Sequence, residues 1–177
     1  MSQTVSLNMR LTADAEVTSE VYVALFYITH DDLDAPIRLS TDPTERLSGP
    51  PDLIYGTRST WQDSDPDTEP FLFIVASTVL PSDLEDAPAA GTLVLENLSP
   101  DIIVLLRSII SPATISMAVV LASTPDVIEA EYTDMRIMSF DADAGSITLS
   151  FSREEIESEP FPAGRFSYYR FPGLHIR

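Results

Sequence analysis

Residues 99–108 read Ser-Pro-Asp-Ile-Ile-Val-Leu-Leu-Arg-Ser, and this stretch carries the one convincing helix signal of the chain. Ser99 can cap the free N–H groups of a first turn, and Pro100 suits the first helical position because no donor is needed there. The apolar residues 102–106 follow without a break, so they surround such a helix on every side. A helix that is apolar all round belongs in a protein core. The stretch therefore predicts one buried α-helix over residues 99–108.

Strand-like sequences flank this helix on both sides. The clearest is Glu20–Thr29, which is rich in β-branched and aromatic residues. The other predicted strands are Ile37–Ser40, Leu53–Trp61, Phe71–Leu80, Gly91–Leu98, Thr114–Ala122, Val127–Phe140 and Ser146–Phe151. About eight strands and one helix, without helical crossovers, predict a mainly β fold, either a β-barrel or a β-sandwich.

The chain divides into three predicted parts. Residues 1–19 form an N-terminal arm, either a short amphipathic helix or a segment that orders only against a neighbour. Residues 20–151 form the β-barrel domain with the central helix, because 177 residues suffice for one good core. Residues 152–177 contain several prolines and aromatic residues, and they are predicted to be a docking tail.

The composition is strongly acidic. The chain has 28 acidic and 10 basic residues, a net charge of −18, and no cysteine. This charge argues against a general nucleic-acid binder, because affinity for phosphate comes from cationic contacts, and it suits a surface that repels DNA. The absence of cysteine excludes disulfides and thiolate sites. No apolar run approaches the ~20 residues that span a bilayer and no signal peptide is recognisable, so we expect synthesis in the cytoplasm and no membrane span.

The sequence offers little for catalysis. Only His30 and His175 can supply imidazole, and no Gly-x-Ser-x-Gly motif is present. The two histidines are interpreted as an exposed turn residue and a tail residue. With so many acids, some pair of carboxylates always looks plausible, so that signal is uninformative. We therefore predict that the protein is not an enzyme and has no catalytic residue and no cofactor.

The acidic run at residues 63–67 resembles a calcium loop only in part. Asp63, Asp65 and Asp67 alternate as calcium ligands do, but the position of the required glycine is Thr68 and that of the closing glutamate is Ile74. We therefore predict a solvated acidic loop and no metal site.

The C-terminal tail combines arginine with aromatic residues, which is the composition of protein–protein hot spots. A docking role is favoured, and packing within the chain or ligand binding are the alternatives. The predicted subunit-interface residues are Phe161, Arg165, Phe166, Tyr168, Tyr169, Arg170 and Phe171.

Several stretches, in their order and spacing, resemble a family of small tailed-bacteriophage proteins, the minor or distal tail (baseplate) proteins with an uncharacterised tail domain. The resemblance covers most of the chain from about Glu20 onward. The stretches that carry it are Tyr27–Leu33, Pro36–Arg38, Leu93–Leu98, Ser99–Arg107, Val120–Asp126, Glu159–Pro162 and Arg170–Leu174.

This resemblance implies a structural protein of the virion rather than an enzyme. It implies a tail-tube-like β-barrel that assembles as a homo-oligomeric ring, expected to contain six copies, at the tail tip between the tail tube and the baseplate or tip hub. The implied partners are the tail-tube, tape-measure and tip-hub proteins, and DNA passes through the ring without specific binding. Assembly takes place in the host cytoplasm.

In such a ring, acids that face the channel would keep DNA from sticking as it passes. The candidates for this lumen are Asp63, Asp65, Asp67, Asp83, Glu85 and Asp86. The alternative function is a carbohydrate- or receptor-binding β-sandwich module of the virion, which an exposed aromatic platform without self-assembly would favour.

Overall fold

The computed structural model describes residues 5–79, 90–96, 112–143, 146–152 and 170. The predicted helix over residues 99–108 lies outside these residues, as does the docking tail apart from Ser152 and Arg170. The elements in chain order are α1 (Leu7–Asp14), β1 (Tyr22–Thr29), β2 (Ile37–Ser40), β3 (Glu45–Arg46), β4 (Tyr55–Thr57), a 3₁₀ turn (Trp61–Asp63), β5 (Phe71–Phe73), β6 (Val75–Val79), β7 (Ala90–Glu96), β8 (Thr114–Leu121), β9 (Thr124–Ala142) and β10 (Ser146–Ser152).

The described strands form one ten-stranded sheet in the order β3-β4-β5-β2-β1-β8-β9-β10-β7-β6. All neighbours are antiparallel except β2 and β5, which run parallel. The prediction of a mainly β fold is therefore confirmed. The sheet has ten strands instead of the expected eight for two reasons. The two-residue strand β3 is too short to leave a recognisable pattern in the sequence. The predicted strand Phe71–Leu80 contains both β5 and β6, which pair with different strands.

Strands β5 and β6 show how the sheet is curved. They are separated by Ile74 alone, yet β5 is third in the strand order and β6 is last. The N–H of Ile74 donates to the carbonyl of Ser40 at 2.8 Å, which holds this junction against β2. A one-residue connection cannot bridge the width of a flat sheet, because one residue spans at most ~3.6 Å. The sheet must therefore curl until its far end returns to β5.

The long strand β9 bends at its middle. Residues up to Arg136 pair with β8, and residues from Arg136 onward pair with β10. The β8–β9 register shifts between Ile115 and Met117, opposite Thr133 and Asp134, and Asp134 has a φ of 56°. A bulge of this kind bends a strand and increases its twist. The strand β9 thereby joins a first half-sheet (β3, β4, β5, β2, β1 and β8) to a second half-sheet (β10, β7 and β6).

The main core lies between the two half-sheets. Phe26 and Met117 come from the first half-sheet, Leu93 and Leu149 come from the second, and all four are fully buried in one cluster. Among the described residues, the terminal strands β3 and β6 do not pair with each other. Of the two predicted forms, a barrel or a sandwich, the described residues do not form a closed barrel: the ten-stranded sheet is curled but open.

A smaller core lies behind strand β1. Val23 and Leu25 on β1 pack with Trp61 and Phe71, whereas Phe26 and Ile28 on the opposite face of β1 belong to the main core. Burial on both faces explains why the sequence of β1 is almost continuously apolar.

The prediction of a strand over Leu53–Trp61 is only partly right. The strand ends at Thr57, and the chain then leaves the sheet for the 3₁₀ turn at Trp61. The Ser59 hydroxyl donates to the carbonyl of Pro125 at 2.9 Å, and the N–H of Thr60 donates to Asp126 at 2.8 Å. These bonds draw the backbone toward the β8–β9 turn, so that it cannot continue the ladder.

The N-terminal arm contains a helix that is attached to its own domain. Ser6 caps α1 by accepting a hydrogen bond from the N–H of Met9. The N–H of Ser6 also donates to the Glu129 carboxylate at 2.6 Å, and the Ser6 hydroxyl donates to the same carboxylate. Glu129 is only 1% exposed. Of the two predicted forms of the arm, the structure shows the short helix, and its N-terminus is bound to β9.

Candidate functional site

The acidic loop, defined here as residues 62–69, brings together three of the predicted lumen residues. Asp63, Asp65 and Asp67 are all exposed, and they lie between the 3₁₀ turn and β5. The other three predicted lumen residues, Asp83, Glu85 and Asp86, lie outside the described residues.

Trp61 anchors the first end of the acidic loop. Its side chain is buried at 5% exposure, and its ring lies 5.8 Å from that of Phe71, between centroids. The ring of Tyr27 meets it edge to face at 6.3 Å. The indole N–H donates to Glu131 Oε1 at 2.8 Å, which satisfies the one polar group of the side chain. Packing and a hydrogen bond together fix this end against β1 and β9.

Arg38 on β2 anchors the second end of the acidic loop. Its Nε donates to the hydroxyl of Ser64 at 3.0 Å, and its Nη2 lies 2.8 Å from Glu69 Oε2. The guanidinium also stacks over the ring of Tyr27 at 5.5 Å. Arg38 is 12% exposed and Glu69 is 42% exposed, so the ion pair lies at the edge of solvent while the arginine stem is packed. One arginine therefore joins both ends of the loop to the first half-sheet.

The loop is also ordered internally around Asp65. Its carboxylate accepts hydrogen bonds from the N–H of Asp67 at 3.0 Å and from the Thr68 hydroxyl at 2.9 Å, and its carbonyl accepts from the N–H of Glu69 at 2.8 Å. The bond from the Asp67 backbone, followed by the bond from Thr68, lowers the pKa of the Asp65 carboxyl below its ordinary value. Both effects favour the ionised form. Asp65 therefore keeps its negative charge at all pH values near neutrality.

The described part of the chain contains no cluster of three or more His, Cys, Asp or Glu side chains that could hold a metal ion. In the acidic loop, both carboxylate oxygens of Asp65 already accept hydrogen bonds from the loop itself. The loop thus uses its carboxylates for turn formation and for surface charge.

The interpretation of His30 as an exposed residue is wrong. Its side chain is 4% exposed, and Nδ1 accepts a hydrogen bond from the N–H of Asp32 at 3.0 Å. The Asp32 carboxylate lies 3.5 Å from the same nitrogen. This histidine therefore stabilises the β1–β2 turn. His175 lies outside the described residues.

Of the predicted subunit-interface residues, the structure describes Arg170 alone, and it is exposed. The other six, Phe161, Arg165, Phe166, Tyr168, Tyr169 and Phe171, lie outside the described residues.

The structure also exposes several apolar side chains that the sequence analysis did not identify. Leu72 and Phe73 on β5 are 39% and 38% exposed, and Val75 and Val79 on β6 are 48% and 67% exposed. These four residues come from one uncharged segment of nine, residues 71–79. The sequence pattern predicted only a strand over Phe71–Leu80, although its long run without charge could also have indicated a contact surface.

Comparison of the sequence with models of known protein families found no matching family, and comparison with functionally characterised proteins found no significantly similar one. The helices within the described residues include none with the length and apolar character needed to cross a membrane.

Proposed function

We propose that this protein is a structural subunit of the tail tip of a long-tailed bacteriophage, and that it forms a ring of six copies around the DNA channel. In this proposal the ring lies between the tail tube and the tip hub, and it also contacts the tape-measure protein. The sequence resemblance supports this function. The observation that carries it furthest is the acidic loop, which is exposed and yet firmly attached at both ends.

Firm attachment matters for the function of such a loop. Charged side chains influence a passing phosphate only within about a Debye length, ~8 Å at physiological ionic strength. A loop that moved freely could carry its charge out of this range. Trp61 and Arg38 hold the acidic loop in one place, so the carboxylates of Asp63, Asp65 and Asp67 keep a fixed position on the surface. A fixed negative wall repels DNA without binding it.

The first test of this function is the location of the protein. We expect a specific antibody to detect it in gradient-purified phage particles, and immunogold labelling to place it at the end of the tail opposite the head. Absence from particles that contain the known tail proteins would overturn the proposal. A protein that is present on side fibres instead of the tip would favour the carbohydrate- or receptor-binding alternative.

The second test concerns the acidic loop. A phage that carries D63K and D67K together keeps Asp65, which orders the loop, and should assemble normally. It should release its DNA more slowly after the channel opens, because the wall would then attract phosphate. The matched control changes two exposed acids of another loop, D31K and D34K. Equal release rates in the two variants would contradict a position of the acidic loop at the channel.

A further inference from the structure

The two ends of the ten-stranded sheet differ in their ability to bind another strand. Strand β3 at one end has two residues, Glu45 and Arg46, and both are charged. Strand β6 at the other end has five residues, Val-Ala-Ser-Thr-Val, and none is charged. Short length and charge protect a sheet edge from further pairing, and β6 has neither protection.

The outer edge of β6 is available among the described residues. The strand pairs with β7 on one side, and no described strand pairs with it on the other. Its residues alternate in direction: Ala76 packs against the main core, whereas Val75, Ser77 and Val79 are exposed. The edge therefore offers backbone donors and acceptors together with an exposed row of two valines and one serine.

The charge of the chain restricts what can occupy this edge. A second copy also carries a net charge of −18, so most surfaces of two copies repel each other. The segment 71–79 is free of charge, and it lets two copies approach without placing like charges opposite each other. An uncharged edge gives no advantage to a basic or an acidic partner, whereas a second copy supplies the same uncharged strand.

We infer that two copies of this chain associate through their β6 edges, antiparallel and related by a twofold axis at Ser77. In this register each Ser77 lies opposite the Ser77 of the second copy, and Val75 of each copy lies opposite Val79 of the other. The exposed valines are thereby covered, and the two ten-stranded sheets become one continuous sheet. Such a contact is isologous and closes on itself, so it gives a dimer rather than an open fibre.

The interface is small, since five residues a side are far fewer than the roughly 20–30 of a standard interface. We therefore expect the dimer to have a dissociation constant of about 1 to 100 μM. This inference does not rest on the proposed role in a phage tail. If the protein does not dimerise, its proposed location in virions is unaffected. If the protein is absent from virions, the proposed dimer is unaffected.

A single cysteine tests the register directly, because the chain has no cysteine of its own. Opposite residues of an antiparallel pair have Cα atoms about 4.5–5.5 Å apart, which is within the range of a disulfide. We expect S77C, oxidised with copper phenanthroline at about 50 μM, to form a covalent dimer on a non-reducing gel. The matched control is S139C, an exposed serine on β9, which is separated from β6 by the two strands β10 and β7. Equal yields of dimer from S77C and S139C would overturn the inference.

Charge substitutions provide a second test that does not depend on oxidation. The double variant V75E/V79E places like charges opposite each other in the proposed register. We expect the dissociation constant of its dimer, measured by light scattering, to be at least tenfold higher than that of the wild type. The double variant V75K/V79E places opposite charges there and should dimerise again. The control L7E/L11E changes two exposed residues of α1 and should dimerise like the wild type. A loss of dimer in V75K/V79E as complete as in V75E/V79E, with both variants folded by circular dichroism, would exclude this register.

Discussion

The ring of Phe151 lies directly over Gly91, its partner in the β7–β10 pairing. A Cβ atom added to Gly91 would lie 2.6 Å from Cε2 and Cζ of Phe151 and 2.9 Å from the carbonyl oxygen of Val79. Phe151 is fully buried at 1% exposure, so its ring has no space to move into. The absence of a side chain at residue 91 is therefore a condition for packing the second half-sheet.

We expect G91A to destabilise the protein by about 1–3 kcal/mol, as is usual when a filled core receives an extra carbon. Urea unfolding followed by circular dichroism measures this loss. The control is G49A, where an added Cβ meets only the side chain of Arg46, at 4.0 Å. A midpoint for G91A as high as that of G49A would contradict the packing described here.

A second prediction concerns two threonines whose hydroxyls differ in hydrogen bonding. The hydroxyl of Thr78 is buried and has no hydrogen-bond partner among the described residues, whereas the hydroxyl of Thr57 lies 2.7 Å from that of Ser40. We expect T78V to be neutral or stabilising, because it removes an unsatisfied polar group. We expect T57V to cost about 1 kcal/mol, because the Ser40 hydroxyl loses one of its two hydrogen bonds and keeps only the one it accepts from the N–H of Asp42. Thermal unfolding of both variants should place the midpoint of T78V above that of T57V. The reverse order would show that Thr78 is satisfied by a group outside the described residues.

A third prediction concerns Arg38 as the anchor of the acidic loop. R38M keeps an unbranched apolar stem and loses the guanidinium with its bonds to Ser64 and Glu69. We expect the N–H groups of Ser64 and Glu69 to exchange with deuterium about tenfold faster, since local opening then costs less. The control R58M removes an arginine that pairs with Glu45, away from this loop. Unchanged exchange in R38M would mean that Trp61 alone holds the loop.

A fourth prediction follows from the lowered pKa of Asp65. Because the folded pKa lies below the unfolded value of 3.8, the hydrogen bonds to Asp65 stabilise the loop fully above pH 3.8. This stabilisation is lost as the pH falls through the folded pKa. We expect the amide signals of Asp67 and Thr68 to shift in NMR spectra recorded below pH 3.8, and D65N should abolish this dependence. A titration of these amides above that pH would contradict the lowered pKa.

The hydrophobic pattern was sufficient to predict most of the strands. Strands β2, β8 and β10 begin and end within about one residue of their predicted bounds, because their alternation or apolar runs depend on neighbours in the sequence. The order of the strands was not predictable in this way. The separation of β5 from β6 at Ile74 depends on a hydrogen bond to Ser40, which is distant in sequence, and no local pattern encodes it.

The candidate site was predicted in part for a similar reason. The acidic residues and prolines of residues 62–70 predicted an exposed loop, and Asp63, Asp65 and Asp67 are exposed. Its anchors were not predictable, because Arg38 and Glu131 lie far along the chain from the loop. The burial of Glu129 also escaped prediction, since an acid in a strand ordinarily faces solvent.

The single-residue junction at Ile74 also determines how the molecule responds to heat or force. Since β5 and β6 are one continuous piece of backbone, the second half-sheet cannot detach without pulling on the hydrogen bonds that hold β5 to β2 and β4. The strand β9 links the same two layers at the opposite corner. Neither layer can melt while the other survives, so the domain loses its structure in one cooperative step.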